Sequence, residues 1–226
     1  ENIKDSLEHR GPDNSSVKHI SESNCFIHTR LSIIDLNDRS NQPFQSADGR
    51  YTLVFNGEIY NYKEIRKDLE SIGNNFNTEG DTEVLLKGFI EHGEGILDKL
   101  RGQFAFAIYD DSEESIFLAR DRIGIKPLYF SSYKDWFIFG SEIKAIEKSG
   151  VVPFEPDLDS YATYLRHLCV PADRTGNKNI LKVQPGESIV YSLKSGISKK
   201  KYWDPFNFEV NKDINEKDAI SEVDRL

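Results

Sequence analysis

Short apolar runs separated by polar or glycine-containing segments dominate this sequence and predict β-strands. The predicted strands lie at residues 25–29, 31–34, 51–55, 103–109, 115–120, 128–131, 136–140 and 186–193. The segments between the later runs are short, as in Asp-Asp-Ser-Glu-Glu at residues 110–114. Short connections are typical of antiparallel strands, because parallel strands need long crossovers.

Apolar residues at helical spacing predict helices between and after these strands. In residues 62–73, Ile65, Leu69 and Ile72 recur on one helical face, and a glycine ends the segment. Further predicted helices lie at residues 1–9, after residues 80–82, at 141–148 with Ser141 as its cap, at 157–167 and at 215–226. Strands and helices are grouped rather than strictly alternating, which predicts an α+β fold.

Composition narrows the function classes. The 226 residues are 38% hydrophobic, so there is enough apolar material for a packed core, and the net charge is −9. This acidity argues against a protein that binds nucleic acid through phosphate contacts. No apolar run has the length of a membrane span. Cys25 and Cys169 have no metal-ligand spacing and are interpreted as core thiols, so we expect no metal. The small number of cysteines fits a cytoplasmic location. From the charge and the apolar runs we expect no nucleic-acid partner and no membrane contact.

The two ends favour a piece of a longer polypeptide. The sequence starts at Glu1 and contains no methionine. After Asp204 the chain becomes charged, and residues 215–226 have the pattern of a helix that stops with the sequence. We therefore expect a fragment whose last helix packs poorly, with Ile220, Val223 and Leu226 not fully buried.

The segment VFNGEIYNY at residues 54–62 offers the first candidate chemistry. Asn-Gly between two strand-like runs is a strong signal for a hairpin turn, and on this motif alone the turn is the favoured interpretation. The alternative is an oxyanion hole, in which the Asn56 amide and the Gly57 N–H donate to one oxygen that becomes negative during a reaction.

Arg30 and Asp81 offer a second candidate site. Arg30 either ends a strand with its head in solvent or binds a carboxylate, which its planar guanidinium matches. Asp81 either caps the following helix or binds an ammonium group. Together the two could hold an amino-acid zwitterion. The sequence shows no catalytic triad, no nucleophile-elbow motif and no phosphate-binding glycine loop.

Eight ordered motifs give a family resemblance that covers nearly the whole chain. They are HRGPD (9–13), RLSIID (30–35), QPF (42–44), FNGEIYN (55–61), GDTEV (80–84), LRGQFAFAIYD (100–110), ARDRIGIKPLYF (119–130) and SEIKA (141–145). Together they resemble the glutamine-hydrolysing half of asparagine synthetases, a class II glutamine amidotransferase domain with the N-terminal-nucleophile hydrolase fold. The resemblance implies two antiparallel sheets packed between helical layers. It assigns residues 1–203 to this domain and residues 204–226 to a linker and the first helix of an ATP-dependent synthetase domain.

The resemblance also implies site residues. Arg30 would bind the α-carboxylate of glutamine, Asp81 its α-ammonium group, and Asn56 and Gly57 would form the oxyanion hole. The remaining implied glutamine-binding residues are Leu31, Ser32, Ile33, Ile34 and Glu58.

One departure from the family pattern concerns the nucleophile. In the family it is a cysteine at the mature N-terminus, with its own α-amine as the general base. The match begins near the end of the family's first helix, and Cys25 does not align with the nucleophile, so we expect the sequence as it stands to be inactive.

The expected full-length protein is an asparagine synthetase that supplies ammonia from glutamine for the ATP-dependent amidation of aspartate. We expect no cofactor in this domain, ATP and Mg²⁺ in the synthetase domain, and a homodimer. Two alternatives stay open: a related amidotransferase that acts on another carboxylate, such as a cell-surface polysaccharide or a peptide product, and a non-catalytic remnant of the fold.

Overall fold

The computed structural model describes residues 2–21, 24–31, 38–170, 172–207 and 214–225. The strands in these ranges are β1 (Asn14–His19), β2 (Cys25–Arg30), β3 (Phe44–Gln45), β4 (Tyr51–Ile59), β5 (Gly102–Asp110), β6 (Ser115–Arg120), β7 (Tyr129–Tyr133), β8 (Trp136–Gly140), β9 (Leu181–Lys182), β10 (Glu187–Ser192) and β11 (Gly196–Lys201). The α-helices are α1 (Asn2–Leu7), α2 (Tyr62–Ser71), α3 (Asp81–His92), α4 (Ile96–Lys99), α5 (Ile143–Glu147), α6 (Leu158–His167) and α7 (Glu216–Arg225).

Antiparallel pairing joins these strands into two layers. One layer is a six-stranded sheet in the order β11-β10-β6-β5-β4-β3. The other is made of two pieces, the pair β1-β2 and the three-stranded sheet β8-β7-β9. The second predicted sheet is therefore divided, and among the described strands β2 and β8 each keep one edge without a strand partner.

Alternating side chains on the six-stranded sheet build a core on each of its faces. In β4, Leu53 and Phe55 pack with residues of α2, α3 and α4, whereas Val54 packs with Phe26 and Phe130 of the second layer. Ile146 of α5 lies in a third cluster on the far side of the three-stranded sheet. The order helix, sheet, sheet, helix confirms the predicted α+β fold.

Helix boundaries differ from the predicted ones where caps were misjudged. The helix predicted at residues 141–148 begins at Ile143, and Glu142, in an extended conformation, takes the cap position instead of Ser141. Before α6, Asp157 does act as a cap, because its carboxylate accepts a hydrogen bond from the Ser160 N–H.

Both cysteines are exposed, so their interpretation as core thiols was wrong. Cys25 begins β2 and alternates with buried Phe26, which places its side chain on the opposite face of the strand. Cys169 directly follows Leu168, where the left-handed backbone ends α6.

The last described helix is poorly packed, as expected. Ile220 is 55% exposed and Val223 is 70% exposed, while Leu226 lies outside the described residues. Within the described ranges, no helix is both long and apolar enough to cross a membrane.

Candidate functional site

Asn56 and Gly57 lie inside a strand and not in a turn. β4 pairs with β5 along its whole length, with Asn56 opposite Ala105 and Gly57 opposite Phe104. Gly57 has a φ of +155°, and a Cβ on it would lie 2.1 Å from the Gln103 carbonyl oxygen. The hairpin interpretation was therefore wrong. The glycine serves a close approach of two strands, and tertiary pairing overrides the local preference of Asn-Gly for a turn.

The alternation of β4 directs the Gly57 N–H away from β5. On the side of β5 that faces away from β4, the Phe104 N–H donates to the Asp121 carboxylate and the Phe104 carbonyl oxygen accepts the Asp121 N–H. Gly57 and Phe104 therefore form a pair without mutual hydrogen bonds. The neighbouring N–H groups on the same edge of β4 are those of Phe55 and Ile59. They donate to Gln42 Oε1 at 2.6 Å and to Asp81 Oδ2 at 3.0 Å. Between these two occupied positions, the Gly57 N–H faces the cavity described below.

The side-chain amide of Asn56 is the second donor at this position. Its Nδ2 atom is buried and has no hydrogen-bond partner among the described residues. A buried amide donor without a partner is unfavourable in a folded protein and marks a place where a ligand can supply the missing acceptor.

A polar cavity of about 350 Å³ brings the candidate residues together. Those of its lining residues that the sequence had singled out are Arg30, Leu31, Asn56, Gly57, Glu58 and Asp81. Three further candidates, Ser32, Ile33 and Ile34, lie outside the described residues. Cationic and anionic side chains therefore line the same cavity, as a zwitterionic ligand requires.

Arg30 ends β2 with its side chain inside the protein. It is only 7% exposed, and its Nη1 donates to Asn41 Oδ1 at 2.6 Å. The alternative in which its head group lies in solvent was wrong. The surrounding strands bury the guanidinium next to the cavity, where a carboxylate can reach it.

Asp81 is the first residue of α3, and Gly80 occupies the cap position without a side-chain cap. The capping interpretation of Asp81 was wrong, because Gly80 holds the cap position, and the Asp81 carboxylate accepts the Ile59 N–H at 3.0 Å. Burial raises the pKa of the Asp81 carboxyl above its ordinary value, and the nearby Glu58 charge acts in the same direction. A buried carboxylate of this kind gains from a cationic ligand.

For the Asp81→Asn variant, the difference in Tm between the variant and the original chain is expected to shift in favour of the variant as pH rises. Because the raised pKa makes the native state bind its proton more tightly, native stability falls as pH rises from the ordinary value of 3.8 through the native pKa. Asparagine does not titrate, so the difference in Tm, variant minus original, should be larger at about pH 7 than at about pH 4.

Asp48→Asn is the matched control, because hydrogen bonds from Ser46 and the Arg50 N–H lower the pKa of this exposed carboxyl. Asp48 contributes stability that is lost as pH falls from 3.8 through its lowered native pKa, so its difference in Tm, variant minus original, should fall as pH rises through that range, the opposite sense to Asp81→Asn. The same pH trend for both variants would contradict the assignment of Asp81 as a destabilised buried carboxylate.

Among the lining residues that sequence reasoning did not assign to the site, four bear most on its chemistry. Gln42 holds the Phe55 backbone, and Arg10 and Lys126 add positive charge, with no ion pair for Lys126 among the described residues. His28 lies with its Nε2 atom 3.3 Å from the Phe55 carbonyl oxygen, and burial lowers its pKa to about 4, so it is neutral at pH 7. Among the motifs of the family resemblance, QPF contains Gln42, HRGPD contains Arg10 and ARDRIGIKPLYF contains Lys126, whereas no motif contains His28.

A second, apolar cavity of about 340 Å³ adjoins the polar one, and the two share Leu7, Ile27, His28, Phe55, Asn56 and Ser141. Both β2 and β8 line it. At its wall the rings of Phe26 and Phe139 meet edge to face, with centroids 5.4 Å apart.

Comparisons with known proteins show the family of this chain. A family model described as a glutamine amidotransferase domain matches residues 1–203. Asparagine synthetase (glutamine-hydrolyzing) 1 of Bacillus subtilis is 38% identical over 217 residues, which cover 94% of this chain and 34% of that protein. Amidase chry2 of Gibberella zeae is 31% identical over 229 residues, 96% of this chain and 32% of that protein. The chain spans about a third of the length of these curated relatives.

Among solved structures, the glutamine phosphoribosylpyrophosphate amidotransferase of Bacillus subtilis, solved with ADP and GMP, superposes with a TM-score of 0.65. The match covers 89% of this chain and 46% of that one at 20% identity, and it shows the fold. From the family match and the shared fold, the chain belongs to the glutamine amidotransferase domain family, as a class II domain related to the asparagine synthetases.

Proposed function

We propose that the polar cavity binds L-glutamine for hydrolysis of its side-chain amide. Arg30 holds the α-carboxylate, Asp81 holds the α-ammonium group, and Asn56 and Gly57 donate to the amide oxygen. The observation that carries this proposal is the placement of Arg30 and Asp81 around one cavity that also contains the two donors of β4. Leu31, Glu58 and residues 32–34 complete the proposed binding segments.

The donors suit the chemistry of amide hydrolysis. When a thiolate attacks the amide carbon, the carbonyl oxygen becomes negative, and preorganised N–H donors stabilise that charge. By resemblance, the thiolate belongs to an N-terminal cysteine whose α-amine takes the thiol proton and passes it to the leaving ammonia. A thioester remains, and water converts it to glutamate.

We propose that the nucleophile lies on an extended segment outside these 226 residues and that this segment occupies the apolar cavity. β2 and β8 both run toward the polar cavity, because Arg30 at the end of β2 and Ser141 just after β8 line it. A strand inserted antiparallel to both would pair with their open edges and begin at the polar cavity. This direction would bring its first residue to Asn56.

We further propose that the full-length polypeptide, meaning this sequence with its natural flanking residues, is an asparagine synthetase. Ammonia would pass to a synthetase domain of the same chain, where ATP and Mg²⁺ activate aspartate, in a cytoplasmic homodimer. The names of the bacterial relatives support this acceptor. The similarity to Amidase chry2 favours a second candidate, an amidotransferase with a different acceptor.

Replacing Arg30 with alanine tests the glutamine site. In the full-length polypeptide we expect the KM for glutamine to rise roughly 10- to 100-fold, because a charge-assisted hydrogen bond contributes about 1.5–3 kcal/mol. The effect on kcat should be small, since the charge of the α-carboxylate does not change during the reaction.

Arg50→Ala is the control, because Arg50 forms a bidentate ion pair with Asp110 at the opposite end of β4 from the cavity. Its KM for glutamine should stay unchanged. Equal KM values for the Arg30→Ala and Arg50→Ala enzymes would contradict the proposed binding mode.

A further inference from the structure

The outer edge of β4 has a strand neighbour along only part of its length. β3 pairs with Thr52 and Leu53 and extends no further. Beyond this point, side chains replace the neighbouring strand at Phe55 and Ile59. The proposed oxyanion donors therefore lie on a stretch of backbone whose position depends on individual side chains.

Gln42 supplies the attachment at Phe55 through both ends of its amide. Oε1 accepts the Phe55 N–H at 2.6 Å, and Nε2 donates to the Phe55 carbonyl oxygen at 3.1 Å. The side chain is only 7% exposed, and Ser16 Oγ donates to the Gln42 backbone carbonyl. Two hydrogen bonds to one residue reproduce the pairing of a neighbouring strand and fix the orientation of its peptide groups.

We propose that Gln42 is the positioning residue that aligns the two donors of the oxyanion hole. Phe55 immediately precedes Asn56, so a rotation of its backbone would move both the Asn56 amide and the Gly57 N–H. His28 reaches the same Phe55 carbonyl at the longer distance of 3.3 Å. This inference rests on the proposed glutamine hydrolysis, and it adds a residue whose amide acts through the backbone of β4.

Amide hydrogen exchange on the 226-residue chain tests the attachment without requiring activity. In the Gln42→Ala variant, the Phe55 amide should exchange at least about tenfold faster, because its acceptor is lost. Gln45→Ala is the matched control, since Gln45 is an exposed residue of β3 whose side chain, among the described residues, bonds Lys18 and the Gly49 carbonyl rather than β4. Equal exchange at Phe55 in both variants would overturn the proposal.

Kinetics of the full-length polypeptide test the functional part. Gln42→Ala should lower kcat for glutamine by about 10²-fold, the loss typical of a misplaced catalytic group, and change KM by less than about threefold. A raised KM with normal kcat would overturn the proposal, because it would make Gln42 a substrate contact. If the original enzyme released no glutamate while Phe55 exchange still responded, the proposed function would fail and the attachment would stand.

Gln42→Glu provides a pH signature that a general loss of structure would not show. A neutral glutamic acid can accept from the Phe55 N–H and donate to its carbonyl, whereas the carboxylate can only accept. The kcat of this variant, divided by that of the original enzyme, should therefore rise as pH falls. A ratio that stays flat or falls would contradict the two-point attachment.

Discussion

Replacing Asn56 with alanine is expected to lower kcat for glutamine hydrolysis by about 10²–10³-fold, the effect of losing one donor of an oxyanion hole. The buried Asn56 amide has no partner among the described residues, and its proposed acceptor gains charge only as the nucleophile attacks. The loss should therefore appear in kcat more than in KM. Steady-state glutamate release from the full-length polypeptide measures it.

Two comparisons separate the donor from the shape of the side chain. Asn56→Asp keeps the volume but replaces the N–H donor with an acceptor, so it should be at least as slow as Asn56→Ala. Synthesis from free ammonia bypasses this site and should survive both changes if the acceptor domain is present. A normal glutamine kcat in the Asn56→Ala enzyme would mean that the amide has no part in the reaction.

Replacing Asp121 with alanine is expected to lower the free energy of unfolding by about 3–5 kcal/mol, because one buried and three partly buried N–H groups would lose their shared acceptor. Asp121 is fully buried. Its carboxylate accepts from the N–H groups of Phe104, Ile123, Ile125 and Lys126 at 2.9–3.2 Å. The residue thereby ties the loop that carries Lys126 to β5, opposite Gly57. Denaturant unfolding followed by circular dichroism measures the loss.

Asp48→Ala is the control for this prediction. Asp48 also accepts hydrogen bonds within a turn, from Ser46 Oγ and the Arg50 N–H, but it is exposed to water. Its loss should be clearly smaller than that of Asp121→Ala, because water can replace an exposed acceptor. A similarly small loss for Asp121→Ala would show that the buried carboxylate does not hold the loop.

The sequence predicted those elements whose apolar pattern is local. β6 and β8 occupy the predicted residues, and α2 buries Ile65 and Leu69 as its spacing indicated. The third residue of the predicted face, Ile72, follows the end of α2 and is exposed, so that part of the prediction was wrong. By contrast, β1 was missed because its sequence, NSSVKH, is polar. Among the described strands, β1 pairs with β2 alone. Asn-Gly was favoured as a turn because no local signal shows that β5 runs beside it.

The candidate site shows the same division between local and distant information. Arg30, Asn56, Gly57 and Asp81 could be named from motifs, and the cavity brings them together. The contacts that orient them could not be predicted, because they join residues distant in sequence. The Gln42 amide reaches Phe55, and the Asp81 carboxylate reaches Ile59. Such partners become visible only when the sheet is assembled.

Glutamate release from L-glutamine, measured without ATP or an acceptor, tests the central claim most directly. The protein to use is the full-length polypeptide, with the Asn56→Ala enzyme beside it. The account predicts saturable release that stops after alkylation of an N-terminal cysteine and falls by about 10²–10³-fold in the variant. A folded polypeptide that begins with such a cysteine yet releases no glutamate would contradict it.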